Sequence, residues 1–152
     1  MNPVVNFILG GWNLNGIVTV QSGFPISFST PASRIAVSNG KSAKLDNLTV
    51  VRWFDTNAFS VAPSFTYGTV GPVSPDVRTD SVKNVDTALV KSFSLTLGDH
   101  EIRTQFRSEF YNLFNHPQFA APSTTIATQG FGQVTTQANS PRDIQFGLKV
   151  NF

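Results

Sequence analysis

The last nine residues of the chain, 144–152, alternate strictly between apolar and polar side chains, and the chain ends on a phenylalanine. Successive side chains of a β-strand point to opposite sides, so this stretch has one fully apolar face and one polar face. The apolar face comprises Ile144, Phe146, Leu148, Val150 and Phe152. A soluble protein rarely ends on such a face. A strand of a transmembrane β-barrel needs one, because lipid lies outside, water lies inside, and a span takes about 9–11 residues.

Three earlier segments, over residues 12–21, 84–97 and 102–114, alternate in a similar way. Their apolar faces comprise Trp12, Leu14, Gly16, Val18 and Val20 in the first, Val85, Leu89, Phe93, Leu95 and Leu97 in the second, and Ile102, Phe106, Phe110 and Phe114 in the third. Each segment is long enough to span a membrane, whereas strands of soluble sheets average about 5–6 residues. The pattern therefore predicts an all-β fold, an antiparallel meander of long amphipathic strands.

The connections between these segments differ greatly in length. Only Gly98-Asp99-His100 joins the second to the third, which predicts a tight hairpin. The other two connections are long loops, 22–83 and 115–140, and the aromatic-rich segment 53–59 favours a packed loop element over a floppy linker. If Phe152 ends in the periplasm, the long loops are extracellular and the short turn is periplasmic. Outer-membrane barrels have this asymmetry.

Composition excludes several function classes. Cysteine is absent, so neither a disulfide framework nor a thiolate metal site is possible, and no run of 18 apolar residues predicts a membrane helix. The net charge of +2 is carried by scattered basic residues, which argues against nucleic acid as a partner. His100 and His116 lack a second ligand at useful spacing, and no nucleophile elbow or HExxH pattern occurs. We therefore predict a chain that is not an enzyme and needs no cofactor.

The predicted barrel assigns roles to individual side chains. The polar face of the third segment, made by Arg103, Gln105, Arg107 and Glu109, is predicted to line the lumen. The aromatic residues Trp12, Phe110 and Phe114 are predicted to lie at the membrane interfaces. Lys91 falls on an apolar face, where it either extends to an interface or marks a β-bulge. A Lys91 side chain facing the middle of the bilayer would cost roughly 2–4 kcal/mol and would count against the assignment.

Four strands are too few to close a barrel, since eight is the smallest usual number. A lone four-stranded sheet would leave two edges in lipid with unsatisfied backbone groups. We therefore expect the chain, as a single segment over 1–152, to be the C-terminal portion of a large transmembrane β-barrel, which in isolation is an open curved sheet. The N-terminal residues lack the features of a secretory signal, which fits an expectation of further chain upstream. A barrel built from several copies is less favoured.

Several motifs, taken together and in order, resemble the late barrel of TonB-dependent receptor-like proteins of the Oar type. They are Gly10–Ile17, Trp53–Phe59, Asn84-Val85-Asp86, Lys91-Ser92-Phe93, Arg103–Pro117 and Gln145–Phe152, and together they cover nearly the whole chain. The resemblance implies a barrel of about 22 strands with a plugged lumen. It implies outer-membrane lipid, the missing N-terminal strands and plug, and the barrel assembly machinery as partners, with TonB reached only through the missing plug. It also implies that Ile144, Phe146, Leu148, Val150 and Phe152 form an assembly signal.

Two other hypotheses remain open from the sequence. In a soluble secreted or surface-displayed β-sandwich binding module, the apolar stripes would pack against a second sheet. A remnant of a non-functional gene would have the same strands as the barrel portion. The leading hypothesis is a structural wall segment of an outer-membrane TonB-dependent receptor or transporter-like barrel.

Overall fold

The computed structural model of the chain describes residues 3–31, 36–98 and 100–152. Its elements in chain order are helix α1 (Pro3–Leu9), strands β1 (Trp12–Gln21) and β2 (Ala36–Ser38), a 3₁₀ helix (Thr56–Ala58), and strands β3 (Phe59–Val61), β4 (Val82–Leu97), β5 (His100–Tyr111) and β6 (Asp143–Asn151). The predicted all-β antiparallel fold is confirmed, and little of the described chain is helical. Two details lie outside the described residues, namely Met1 and Asn2 of the N-terminal segment and Asp99 of the predicted hairpin turn.

The four long strands form one open sheet in the order β1-β4-β5-β6. Pairing is antiparallel between β4 and β5 and between β5 and β6. Leu97 pairs with His100, so the connection is shorter than predicted and His100 begins a strand instead of lying in the turn. Gly98 has a φ of 61°, a conformation that glycine adopts without strain. A small antiparallel sheet of β2 and β3 is the second sheet among the described residues.

The register of the large sheet brings the apolar residues of neighbouring strands onto one face. Phe106 of β5 lies opposite Lys91 of β4 on one side and Leu148 of β6 on the other. On the opposite face, Arg103 lies opposite Ser94 of β4 and Asn151 of β6. Because directly opposed residues point to the same side of a sheet, the alternation read along each strand carries across the pairs. We call the two sides the apolar face and the polar face.

The chain divides into two compact units. The sheet unit comprises residues 1–20, 83–117 and 140–152, and the loop unit comprises 21–82 and 118–139. The loop unit has a hydrophobic core of its own. That core consists of Ile26, Ala43, Trp53, Phe54, Ala58, Val77 and Val134, with Phe28, Phe59, Phe119 and Phe131 packed against it. The segment 53–59 is thus a packed element, as its aromatic content indicates.

Segment 53–59 is fixed by hydrogen bonds from several parts of the loop unit. The backbone N–H of Trp53 donates to the carbonyl of Gly132 (2.9 Å), and its indole N–H donates to the carbonyl of Arg78 (2.8 Å). Gly132 has a φ of 81°, and a Cβ there would lie 2.7 Å from a methyl group of Thr56. Only glycine allows this close approach, so the second loop is joined to the first through it.

Strand β5 ends at Tyr111, three residues earlier than the predicted apolar face, so Phe114 does not lie in a strand. The cause is Asn112, whose φ of 49° lies in the left-handed region that asparagine tolerates better than most residues. Its backbone N–H donates to Oδ1 of Asp86 on β4 (2.9 Å). Asn115 repeats the left-handed conformation, with a φ of 50°. The chain therefore turns where alternation alone predicts a longer strand.

Candidate membrane-facing and lumen-facing surfaces

The apolar face of the sheet unit is uncovered along its two outer strands, β1 and β6. Every residue of β1 and β6 is exposed, and Leu14 and Phe146 keep 74% and 70% of their surface accessible. Large contiguous apolar surfaces of this kind mark a site where another apolar phase or molecule is bound. In a β-barrel the bilayer is that phase.

The five residues predicted as an assembly signal divide into two groups. Ile144, Phe146, Leu148 and Val150 lie within β6 and share the apolar face, whereas Phe152 follows the last residue of the strand and is fully exposed. The Phe146 ring stacks on the Phe106 ring of β5, with centroids 6.1 Å apart. Strand β6 pairs with β5 on one side only among the described residues. Its other edge presents backbone N–H and C=O groups that need a partner in a membrane.

Hydrogen bonds within the sheet unit satisfy polar side chains on its apolar face. The hydroxyl of Ser108 donates to the carbonyl of Leu89 on β4 (3.3 Å), and Ser108 itself is buried. A hydroxyl group in hydrocarbon would otherwise lose its hydrogen bond to water, at a cost of several kcal/mol. This hydrogen bond allows a polar residue on an otherwise apolar face.

Lys91 lies on the apolar face without a β-bulge, because it pairs in register with Phe106 and its neighbours also pair without interruption. The bulge interpretation is therefore wrong. The side chain is only 7% exposed. Its ammonium group donates hydrogen bonds to the backbone oxygens of Phe7 (2.7 Å), Ile8 (3.2 Å) and Gly10, where α1 ends. The charge is satisfied by the protein itself.

Residues predicted to line the lumen lie on the polar face, and their charges pair along the strand. The guanidinium of Arg103 is 3.0 Å from the carboxylate of Glu101, and that of Arg107 is 3.4 Å from the carboxylate of Glu109. Both pairs join residues two positions apart in β5 and do not link it to a neighbouring strand. Because solvent screens exposed pairs of this kind, they contribute little to stability. They keep the surface polar more than they stabilise it.

A cleft of about 420 Å³ lies beside these residues. Its lining includes Arg103 and Gln105 of β5, Ser92 of β4, and Lys149 of β6. The amide of Gln105 donates to the hydroxyl of Ser92 (3.4 Å), which joins β5 to β4 across the cleft. The sheet thus brings two of the four predicted lumen residues to one polar hollow.

The three predicted interface aromatics have different surroundings. Trp12 begins β1, is about half exposed, and donates its indole N–H to the carbonyl of Ile8 (2.9 Å). Phe110 is partly buried within β5 and pairs with Ile144 of β6. Phe114 lies beyond the end of β5 and is 73% exposed. The structure does not place all three at comparable positions on strands.

Asn112 organises the end of β5 and was not singled out by sequence reasoning. Its buried side-chain amide donates to the carbonyls of His116 and Ser140, both at 3.2 Å, and its side-chain oxygen accepts from the His116 N–H (2.9 Å). Asn115 adds a bond from the Arg142 N–H to its side-chain oxygen (3.0 Å). The sequence feature that indicates this turn is a pair of asparagines three residues apart before His116-Pro117. That composition is typical of turns with left-handed residues.

The described residues also lack certain kinds of site. They contain no group of three or more histidine, aspartate or glutamate side chains that could hold a metal ion. None of the helices in the described ranges has the length and apolar character needed to cross a membrane.

Comparison with known proteins assigns the chain to a family. A family model described as an outer membrane beta barrel domain matches residues 1–145, so that residues 146–152 lie outside the matched range. No curated protein and no solved structure matches the chain.

Proposed function

This chain belongs to the outer membrane β-barrel domain family, and from that premise we propose that its four-stranded sheet is a section of barrel wall with the apolar face toward lipid and the polar face toward the lumen. The family sets the location as the cell outer membrane and gives the domain a structural role within the barrel. Such a domain is embedded in outer-membrane lipid. Family membership favours a structural or transport role over catalysis, and the absence of enzymatic activity stays a prediction.

One observation carries this proposal: the uncovered apolar face and the charged polar face are the two sides of the same strands. Leu148 is 68% exposed on the apolar face, and Lys149, the next residue, lines the cleft on the other. A soluble β-sandwich binding module would bury its apolar face between two sheets. The exposure of Leu14 and Phe146 does not support that alternative.

We further propose that the chain is the C-terminal part of a larger barrel of the TonB-dependent receptor-like, Oar-type kind. The support is the ordered set of sequence motifs, together with the two edge strands β1 and β6, each of which pairs on one side only among the described residues. Additional strands would satisfy those edges. In this proposal a plug elsewhere in the protein contacts TonB. The polar cleft beside Arg103 and Gln105 faces whatever passes the lumen.

The terminal strand is proposed to be the segment that the barrel assembly machinery recognises. Its four apolar positions in β6 lie in a row on one face, and Phe152 extends the row beyond the strand. We expect deletion of Phe152 to lower the amount of protein in the outer membrane severalfold and to increase degradation in the periplasm. The measurement is the heat-modifiable, folded fraction in isolated outer membranes.

The matched control is Asn151→Ala, which alters the neighbouring polar position and keeps the terminal phenylalanine. This variant should assemble as the parent protein does. Equal outer-membrane levels for the Phe152 deletion and the parent protein would count against the assembly role.

A further inference from the structure

Helix α1 is apolar, short and uncharged. Its sequence from Pro3 to Leu9 has no acidic residue in the first turn and no basic residue in the last. Val5, Phe7, Ile8 and Leu9 all leave at least a third of their surface exposed. A helix with these side chains on its surface needs either a protein partner or lipid.

The contacts of α1 place it on the apolar face of the sheet. The ring of Phe7 packs edge-on against the ring of Phe93, with centroids 5.2 Å apart. Phe93 lies two residues from Lys91 in β4 and therefore points to the same side of the sheet. Since the apolar face is the one toward lipid, α1 lies on the outside of the wall.

The link between α1 and β1 fixes the helix in this position. Gly11 has a φ of 72°, and a Cβ on it would lie 2.1 Å from the carbonyl oxygen of Ser92. The N–H of Ser92 donates to the Gly11 carbonyl (2.8 Å). Only glycine allows the chain to end a helix and approach β4 so closely.

Lys91 holds the end of the helix. The last carbonyls of a helix have no partner within it and carry partial negative charge, so an ammonium group is a favourable ligand for them. The Lys91 ammonium is such a ligand. Its side chain lies on the sheet, and the ammonium group donates hydrogen bonds to the carbonyls of Phe7, Ile8 and Gly10. It also lies 5.0 Å from the centre of the Trp12 ring, within the range of a cation–π contact.

We propose that α1 is an interfacial foot: a helix that lies along the bilayer surface on the lipid side of the wall, with phospholipid as the partner of its exposed apolar side chains. An uncharged apolar helix held against a lipid-facing sheet by a lysine and a tryptophan suits the boundary between headgroups and acyl chains, where tryptophan and lysine are both favoured. This inference rests on the proposed orientation of the sheet. It assigns Lys91 a positioning role for the foot.

The test uses single cysteines, because the chain has none of its own. Ile8→Cys probes α1, Leu148→Cys probes the apolar face of β6, and Asn13→Cys probes the polar face of β1. Each purified protein is labelled with an environment-sensitive fluorophore and reconstituted into phosphatidylcholine vesicles. Quenching is compared between lipids that carry a nitroxide near the headgroup and lipids that carry it deep in the acyl chain.

We expect lipid nitroxides to quench the labels at 8 and 148 and to spare the label at 13. At position 8 the shallow nitroxide should quench on the order of twofold more strongly than the deep one, because interfacial helices lie near the headgroup boundary. Quenching at 148 without quenching at 8 would overturn the foot and leave the barrel wall intact. Quenching at neither 8 nor 148 would overturn the orientation of the sheet and the foot with it.

Lys91→Ala in the Ile8→Cys protein tests whether Lys91 positions α1 at the bilayer surface, or whether the helix contacts lipid without it. Loss of the ammonium removes its hydrogen bonds to the carbonyls of Phe7, Ile8 and Gly10, and Ile8 keeps only the bond from the Trp12 indole. We therefore expect the preference for the shallow nitroxide at 8 to fall while quenching at 148 is unchanged. An unaltered preference at position 8 would overturn the positioning role of Lys91.

Discussion

Two phenylalanines, one in each unit of the molecule, have opposite surroundings. In the loop unit Phe54 is completely buried, whereas in the sheet unit Phe146 is 70% exposed. The loop unit brings its apolar side chains together into a core that water cannot reach. The sheet unit spreads them over one face. The loop unit thus has a core of its own, whereas the sheet unit leaves apolar side chains exposed for another apolar phase to cover.

The loop unit owes its compactness to aromatic packing. Phe54 makes edge-to-face contacts with Phe28 and with Phe131, each with ring centroids 5.2 Å apart. Such pairs contribute about 0.5–1.5 kcal/mol beyond the burial of their area. Because Phe131 comes from the second loop, the cluster joins two segments that are far apart in the chain. The two long loops therefore form a folded body with its own core.

The largest expected effect comes from removing the centre of that core. Phe54→Ala should lower the free energy of unfolding of the loop unit by about 3–5 kcal/mol, since it leaves a cavity among the rings. The fluorescence of buried Trp53 reports this transition in denaturant titrations when Trp12, the other tryptophan of the chain, is replaced by phenylalanine.

Phe65→Ala is the matched control, because Phe65 belongs to the same unit and is fully exposed. Its effect should stay within about 0.5 kcal/mol, as is usual for surface substitutions. Equal destabilisation by the two variants would show that the loop unit has no specific core and would erase the contrast between the units.

The next largest effect tests the sheet unit at two adjacent residues. Leu148→Arg places a charge on the apolar face and should cost roughly 2–4 kcal/mol if that position lies near the middle of the bilayer. Gly147→Arg places the same charge on the polar face, where a Cβ meets no atom within 4 Å, and should cost far less. The measurement is the free energy of folding into phospholipid vesicles for both variants.

A reversed order, with Gly147→Arg the more damaging, would mean that the polar face is the one toward lipid. Similar costs for both would mean that β6 has no lipid-facing side. Either result would remove the difference between the sheet unit and the loop unit that their exposures indicate.

Alternation within a strand was sufficient to predict the sheet, because the two-residue period is a local property of the chain. It identified all four long strands and their faces. The short connection between the second and third segments predicted that these two form a hairpin. It failed where a local conformation interrupts the period. The turn at Asn112 and Asn115 depends on left-handed asparagines and on hydrogen bonds to Asp86 and Ser140, so Phe114 was assigned to a strand it does not join.

Contacts between distant residues were beyond the sequence pattern. Lys91 and Phe7 are 84 positions apart, and nothing in either segment indicates that the ammonium group binds the carbonyls at the end of α1. The core of the loop unit also depends on contacts between distant residues, since the Trp53 N–H donates to the carbonyl of Gly132 in the other long loop. The aromatic content of segment 53–59 predicted that it packs, but not against what. Roles of the lumen and interface residues stay predictions, because position on a face does not by itself assign a role.

The smallest expected effect is a pH dependence confined to the loop unit. The guanidinium of Arg52, 2.7 Å from the Asp55 carboxylate, has the largest effect and lowers the pKa of that carboxyl group. Burial opposes this in part, and the hydrogen bond from the Asn57 N–H adds a further, smaller lowering. A carboxyl group whose pKa is lower when folded stabilises the fold above its ordinary pKa of about 3.9. That stabilisation is lost as the pH falls from there through the folded value. The Trp53 transition should therefore weaken below about pH 4.

Asp55→Asn identifies the group responsible. The parent protein should be more stable than this variant at neutral pH, by less than about 1 kcal/mol because Arg52 is more than half exposed to screening solvent. The difference should shrink towards zero as the pH falls, because protonated aspartate then resembles asparagine. Arg52→Gln should flatten the same dependence while it keeps the carboxylate and its bond to Asn57. A difference that grows in acid would mean that other carboxylates, and not Asp55, control the acid stability of the loop unit.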